Sequence, residues 1–195
     1  HLERLRPGGP PLEFAELWGG SRALFLRELF RLTGRHLLAV TARAEQAEEL
    51  AADLRFFQER SGNDGPEIVT FPAWGILPFE NDSPDSGTVG ERMAGLYRLI
   101  TGGPCIVVAS SAAVTQKVLP WQVFSDAVRT IDAGGSADPD ALAAHLAATG
   151  YEHAAAVTRV GEFSRRGGII DVFSPAQELP VRVEFFGDTV ESLRS

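Results

Sequence analysis

Gly161-Glu-Phe-Ser-Arg-Arg-Gly-Gly-Ile-Ile-Asp-Val-Phe173, answered by Val181-Arg-Val-Glu-Phe-Phe186, decides how the second half of this chain folds. Ile169, Ile170, Val172 and Phe173 are β-formers that run into a Ser174-Pro175 break. Val181, Val183 and Phe185 alternate with Arg182, Glu184 and Phe186, the period of a strand buried on one face. Two such strands in one sheet hold Arg165 and Arg166 at one end and Arg182 on the outward face. Guanidinium groups fixed on a sheet suit the recognition of carboxylates on a partner.

Upstream of this pair the pattern is α+β. Residues 128–131 read as a short strand and 132–139 as a turn-rich break. An alanine-rich helix follows from Pro139 to Thr149, closed by Gly150. Before Pro120 the character differs. A helix capped by Ser21 runs through Leu24, Phe25, Leu29 and Leu32 and stops near Gly34. Strands are expected at 36–40, 67–71 and 105–109. Between them lie a helix at 44–60, which Thr41 is placed to cap, and a helix at about 91–101. In the first, Ala47, Leu50, Leu54 and Phe57 form one apolar face. Strands alternating with helices make a parallel sheet flanked by helices. The expected organisation is therefore an α/β lobe over 1–120 and a smaller α+β lobe over 121–195.

Composition narrows the function. With 195 residues and 44% hydrophobic content the chain is long enough for one large or two small cores. A net charge of −8 argues against a general nucleic-acid binder, and residues 121–195 carry 6 basic against 11 acidic groups. No apolar stretch approaches the ~18 residues of a membrane span. A single cysteine, Cys105, sits inside the apolar run 105–108, where a buried, inert thiol is expected. That usage fits a reducing compartment, the cytoplasm. The chain opens on His1 and ends at Ser195 just after a strand-like segment, and reads as a piece of a longer protein.

Catalytic constellations are thin. Leu17-Trp-Gly-Gly-Ser-Arg-Ala-Leu24 stands where a phosphate-binding loop would open such a domain. A working loop, G-x-x-x-x-G-K-[ST], cradles phosphate with amides, neutralises it with lysine and binds magnesium with its hydroxyl. Here Arg22 and Ala23 follow Gly19-Gly20-Ser21, and the first glycine is missing. A Gly-Gly turn feeding a helix explains the words as well. His1, His36, His145 and His153 have no metal-ligand spacing. The chain itself does not read as an enzyme.

The paired β words resemble the module that UvrB and the bacterial transcription-repair coupling factors share for binding UvrA. A second resemblance to the coupling factors runs through Phe71-Pro-Ala-Trp-Gly-Ile-Leu-Pro-Phe-Glu80, Ser83-Pro-Asp85, Glu91-Arg-Met93, Ile106-Val-Val-Ala-Ser110 and Gln116-Lys-Val-Leu-Pro120. The resemblance implies the N-terminal, UvrB-like region of a coupling factor. Its first lobe would be a degenerate P-loop-like sheet without a nucleotide site, and its second would be similar to UvrB domain 2. UvrB's tyrosine-rich DNA-clamping hairpin has no counterpart in 74–90, which lacks tyrosine.

The implied function is recruitment of UvrA, linking stalled RNA polymerase to nucleotide excision repair. The alternative is a fragment of a UvrB-type ATP-dependent damage-verification protein. Implied partners are UvrA and the other domains of the parent, with RNA polymerase and DNA reached only through the full-length protein. ATP and magnesium would belong to a motor beyond residue 195. The residues carried over for UvrA binding are Arg166, Arg182, Arg165, His153, Glu184 and Phe186. Ser164 and His153 stand where UvrB has arginine, with Arg165 a potential substitute for the first. Structural roles remain open for two of them: Arg166 capping a turn, and Arg182 pairing with Glu184.

Overall fold

The computed structural model describes residues 11–60, 65–76 and 84–195. The sequence leads one to expect a Pro- and Gly-rich lead-in over 1–11 and a loop over 72–90; residues 1–10 and 77–83 of these lie outside the described residues. Helix α1 (Ser21–Thr33) leads into β1 (Leu37–Thr41), α2 (Ala44–Arg60), β2 (Glu67–Phe71), α3 (Ser86–Thr101) and β3 (Cys105–Ser110). The three strands form one parallel sheet in the order β1-β3-β2. Central β3 is buried along its whole length, as an apolar run between two covered faces requires.

One face of this sheet, with Ile106 and Val108, packs on Ala23 of α1 and on Ala47, Ala51 and Leu54 of α2. The α2 stripe is the one the sequence marks out. In α1 the inward residues are Ala23, Leu26 and Phe30, at i, i+3 and i+7, while Leu24 and Leu32 face outward. Ser21 is the first helical residue rather than the cap, its Oγ donating to the Trp18 carbonyl at 2.7 Å. Thr41 ends β1 and its hydroxyl donates to the Arg43 carbonyl, so it does not cap α2.

Helix α3 starts at Ser86, five residues before the expected 91, because the Asp85 carboxylate accepts from the Thr88 amide and caps it. Gly87 and Gly90 hide that start in the sequence. Gly90 serves a close approach: a Cβ there would lie 2.9 Å from Val160 Cγ1, on the far side of the chain's midpoint. Arg92, two residues further on, is fully buried with its guanidinium 4.2 Å from both the Phe71 and Trp74 rings, and donates to the Pro72 carbonyl at 2.6 Å. Burial holds its pKa below the usual arginine value.

Short helices α4 (Ser111–Thr115) and α5 (Trp121–Ala127) follow, neither evident in the sequence. The expected strand at 128–131 is absent. Ile131 does reach the second core, but no strand lies beside it. The position it would have taken along the last strand is held by 134–137: Gly134 and Ala137 donate to the Val190 and Asp188 carbonyls, and Gly135 accepts from Val190.

After α6 (Pro139–Ala148) come β4 (Glu152–His153), β5 (Glu162–Arg166), β6 (Ile169–Val172), β7 (Val181–Phe186) and β8 (Thr189–Arg194). They form one five-stranded sheet in chain order. It is mixed rather than antiparallel, since β4 runs parallel to β5. The two strands read from sequence do share this sheet. Arg165 and Arg166 belong to a strand of their own, joined to β6 by the two-residue turn Gly167-Gly168. Gly167 takes φ +60, which a tight hairpin asks of its first turn residue. Leu146 of α6 closes the inner face over Phe163, Ile170, Val183 and Val190.

Candidate functional site: the outer face of the second sheet

Strand alternation sorts the second sheet's side chains onto two faces. Phe163, Ile170, Val183 and Val190 point toward α6 and are buried. The opposite face carries two cross-strand rows. One runs Ser164, Asp171, Arg182, Arg194; the next runs Arg166, Ile169, Glu184, Ser192. Phe186 stands beyond them, 80% exposed, an unusual position for a phenylalanine.

Arg182 is held from across the strand. Its Nε and Nη2 donate to the two Asp171 carboxylate oxygens at 2.7 and 2.9 Å, a fork-on-fork pair. The Arg182 hydrogen bond, and more weakly the charges of Arg182 and Arg166, keep the Asp171 carboxyl below the usual range, while Asp171 raises Arg182. The open sequence alternative, Arg182 with Glu184, is not the pairing found. Glu184 instead takes Arg194 at 3.0 Å and the Ser192 hydroxyl at 2.7 Å.

Arg166 Nη2 donates to the Ala155 carbonyl, so it secures the 154–161 segment rather than capping its own turn. That segment is fixed a second time by Glu162, a buried carboxylate at the start of β5. Glu162 accepts from the Thr158 and Arg159 amides at 2.8 and 2.9 Å and from Arg159 Nε at 2.9 Å. The two amide bonds are the main reason its pKa falls from the ordinary 4.5 to about 2. A carboxylate depressed on folding adds stability above its unfolded pKa and loses it as pH falls toward the folded value. Chemical denaturation from pH 6 to pH 2 should therefore show an acid limb between about 4.5 and about 2 that Glu162→Gln flattens. An unchanged limb in the variant would remove Glu162 from this role.

Arg165 and His153 do not join the outer face. Arg165 is two residues from Phe163, hence on the same side, and pairs with Asp140 at the start of α6. His153 is in register with Phe163, and their rings meet edge-on at 5.4 Å. Arg165 is thus on the wrong side to replace an arginine at Ser164, which is itself buried. Asp171 and Arg194 are residues of the face that the sequence reading passed over. For Asp171 the signal was there, an outward position between inward Ile170 and Val172.

The Gly19-Gly20 turn has a packing explanation. Gly19 takes φ +50, and a Cβ at Gly20 would stand 3.1 Å from the Phe57 ring. The amides of Ser21, Arg22 and Leu24 donate to the carbonyls of Trp18, Gly19 and Gly20. Among the described residues no three His, Cys, Asp or Glu side chains are grouped to hold a metal, and no helix is long and apolar enough to cross a membrane.

This sheet face displays Arg166, the forked Arg182 and an exposed phenylalanine, and it lies in a stretch that resembles known proteins. The model of the UvrB interaction domain matches residues 130–195. Over nearly its whole length the chain is also homologous to transcription-repair-coupling factors. It is 40% identical to that of Myxococcus xanthus over 182 residues, covering 92% of this chain. Identity is 36% over 196 residues with the factor of Mycobacterium bovis, 97% of this chain, and 32% over 182 residues with that of Bacillus subtilis, 93% of it. The chain spans about 15% of the length of these curated relatives. All five strands of the second sheet lie inside the UvrB interaction domain, as do all the residues of its outer face.

Proposed function

We propose that this chain is the UvrA-recruiting region of a transcription-repair coupling factor. In the complete protein it links stalled RNA polymerase to nucleotide excision repair. The observation that carries the reading is the outer face of the UvrB interaction domain, where Arg166, Arg182 and Phe186 are displayed on a rigid sheet. Arg182 brings a planar donor fork suited to a carboxylate, and Phe186 an apolar anchor of the kind that concentrates binding energy. Glu184 and Arg194 add charges of both signs, which favours a specific protein partner over a phosphate backbone. Arg165 and His153, on the other side, support the sheet and α6. The boundary between the two lobes falls near residue 120, ahead of α5. Isothermal titration of purified UvrA with this chain tests the reading; absence of binding overturns it.

The first lobe, in this reading, is a UvrB-like fold with no working nucleotide site. The supporting observation is that the Ser21 and Arg22 amides of this turn are committed to backbone carbonyls, with no lysine next to them in the sequence. ATP with magnesium should give no saturable heat at micromolar concentrations. Saturable binding abolished by Arg22→Ala would instead favour the UvrB-type, ATP-dependent protein. The ATP-driven motor, and contacts with RNA polymerase and DNA, belong to other parts of the parent.

A further inference from the structure

We propose that Asp171 is a positioning residue of the binding face: it presets the Arg182 guanidinium so that a partner carboxylate meets donors already aimed outward. The inference rests on the reading of this face as the UvrA contact.

The geometry gives Asp171 this task. It sits on β6 directly opposite Arg182 on β7, and its side chain is only 21% exposed against 49% for Arg182. The carboxylate is therefore the fixed member of the pair and the guanidinium the member that stands over it. Of the five N–H groups of arginine, two are held by Asp171. The other three, both on Nη1 and one on Nη2, are directed away from the carboxylate. An unpaired arginine samples many rotamers, and freezing one on binding lowers affinity. Arg182 has that ordering in place before any partner arrives. Arg166 flanks the same carboxylate closely enough to lower its pKa, so Asp171 also separates two like charges across the β5–β7 span.

The two physical effects of removing Asp171 have opposite signs. A partner that offers carboxylates is repelled by Asp171, so electrostatics alone predicts tighter binding once it is gone. Preorganisation predicts weaker binding. The bidentate bond and the partial burial of Asp171 favour the second, because a half-buried carboxylate projects its charge less than its paired neighbour projects donors.

Titration calorimetry with UvrA decides between them, using wild type, Asp171→Ala, Asp171→Glu, Arg182→Ala and the Asp171→Ala/Arg182→Ala double variant. Asp171→Ala is expected to weaken binding at least fivefold, with Asp171→Glu recovering part of the loss. In the Arg182→Ala background the same change should cost less than twofold, since its effect passes through Arg182. Wild-type or tighter affinity in a folded Asp171→Ala variant overturns the inference while leaving the UvrA reading intact. An equal loss in both backgrounds also overturns it, by showing that Asp171 acts through the fold. If wild-type protein does not bind UvrA, the functional reading falls and this inference falls with it.

Discussion

Arg182→Ala and Arg166→Ala should each lower the affinity for UvrA by ~30-fold or more, with the fold unchanged. Truncating one side of a desolvated, hydrogen-bonded charge contact costs about 2–5 kcal/mol, because the partner's charge is left buried and unpaired. In the free protein both arginines are exposed, and such groups contribute little to stability. Most of their value comes when a partner covers them. Phe186 beside them, already 80% exposed, supplies apolar surface that excludes water from the contact. Arg166→Ala also removes the bond to the Ala155 carbonyl, so its loss includes some loosening of the 154–161 segment. Arg129→Ala is the matched control: Arg129 bonds the nearby Asp126 and Val128 carbonyls in the link after α5, and it lies with Val181, Val183 and Leu146 on the α6 side of the sheet rather than on this outer face. Wild-type affinity in both well-folded arginine variants would reassign the two residues to structural roles.

What the sequence disclosed follows from where the information is local. Period-two alternation in 181–186 identifies that strand and its inward residues, because burial of one face writes itself into consecutive positions, while the β-formers of 169–173 mark a strand without saying which side is inward. The parallel sheet of the first lobe was equally legible, since β3 reads as an unbroken apolar run. Facing was harder for Arg165 and Arg166. Adjacent residues on one strand point to opposite sides, and only the two-residue turn Gly167-Gly168, with Arg166 opposite Ile169, says which side is which. His153 was misplaced for the same reason: a two-residue strand carries no alternation of its own, and its side is fixed by register with Phe163.

Other failures come from partners distant in sequence. Residues 128–131 have a strand's pattern but no strand beside them. Leu24 and Leu32 fit a helical stripe, yet the sheet selects the stripe built on Ala23. Arg92 is the sharpest case. The sequence assigns this arginine no place in the core, whereas Phe71 and Trp74, about twenty positions earlier, stack on its guanidinium in a fully buried site. Nothing in the window around residue 92 reports that. The candidate face shows the same division. Arg182 and Phe186 could be assigned outward from their own strand, while the Asp171 and Arg194 contacts appear only once β6, β7 and β8 are in register.

Ile170→Ala should be the most destabilising single change in the core of the five-stranded sheet, and Ile169→Ala one of the mildest in that sheet, though the two residues are neighbours. Ile170 is fully buried between β5 and β7, packed with Leu146, Phe163, Val183 and Val190. Truncating a buried isoleucine to alanine loses transfer free energy and leaves a cavity, together about 2–5 kcal/mol. A folded domain is stable by only about 5–15 kcal/mol, so this is a large share of the total. Helix α6 gives the cavity little chance to collapse, because Leu146 is held there by the sheet and by the turn in which the Tyr151 amide donates to the Leu146 carbonyl. Ile169 lies on the outer face between Arg166 and Glu184 and is only partly covered, so its truncation should cost under about 1 kcal/mol. Thermal unfolding of the two variants reads the difference directly, with a shift of roughly 10 °C or more for Ile170→Ala at ~2 kcal/mol in a lobe of this size. A larger loss for Ile169→Ala would mean the sheet is turned over. Arg182 and Phe186 would then face α6, and the binding face would have to be sought on the side that carries Arg165 and His153.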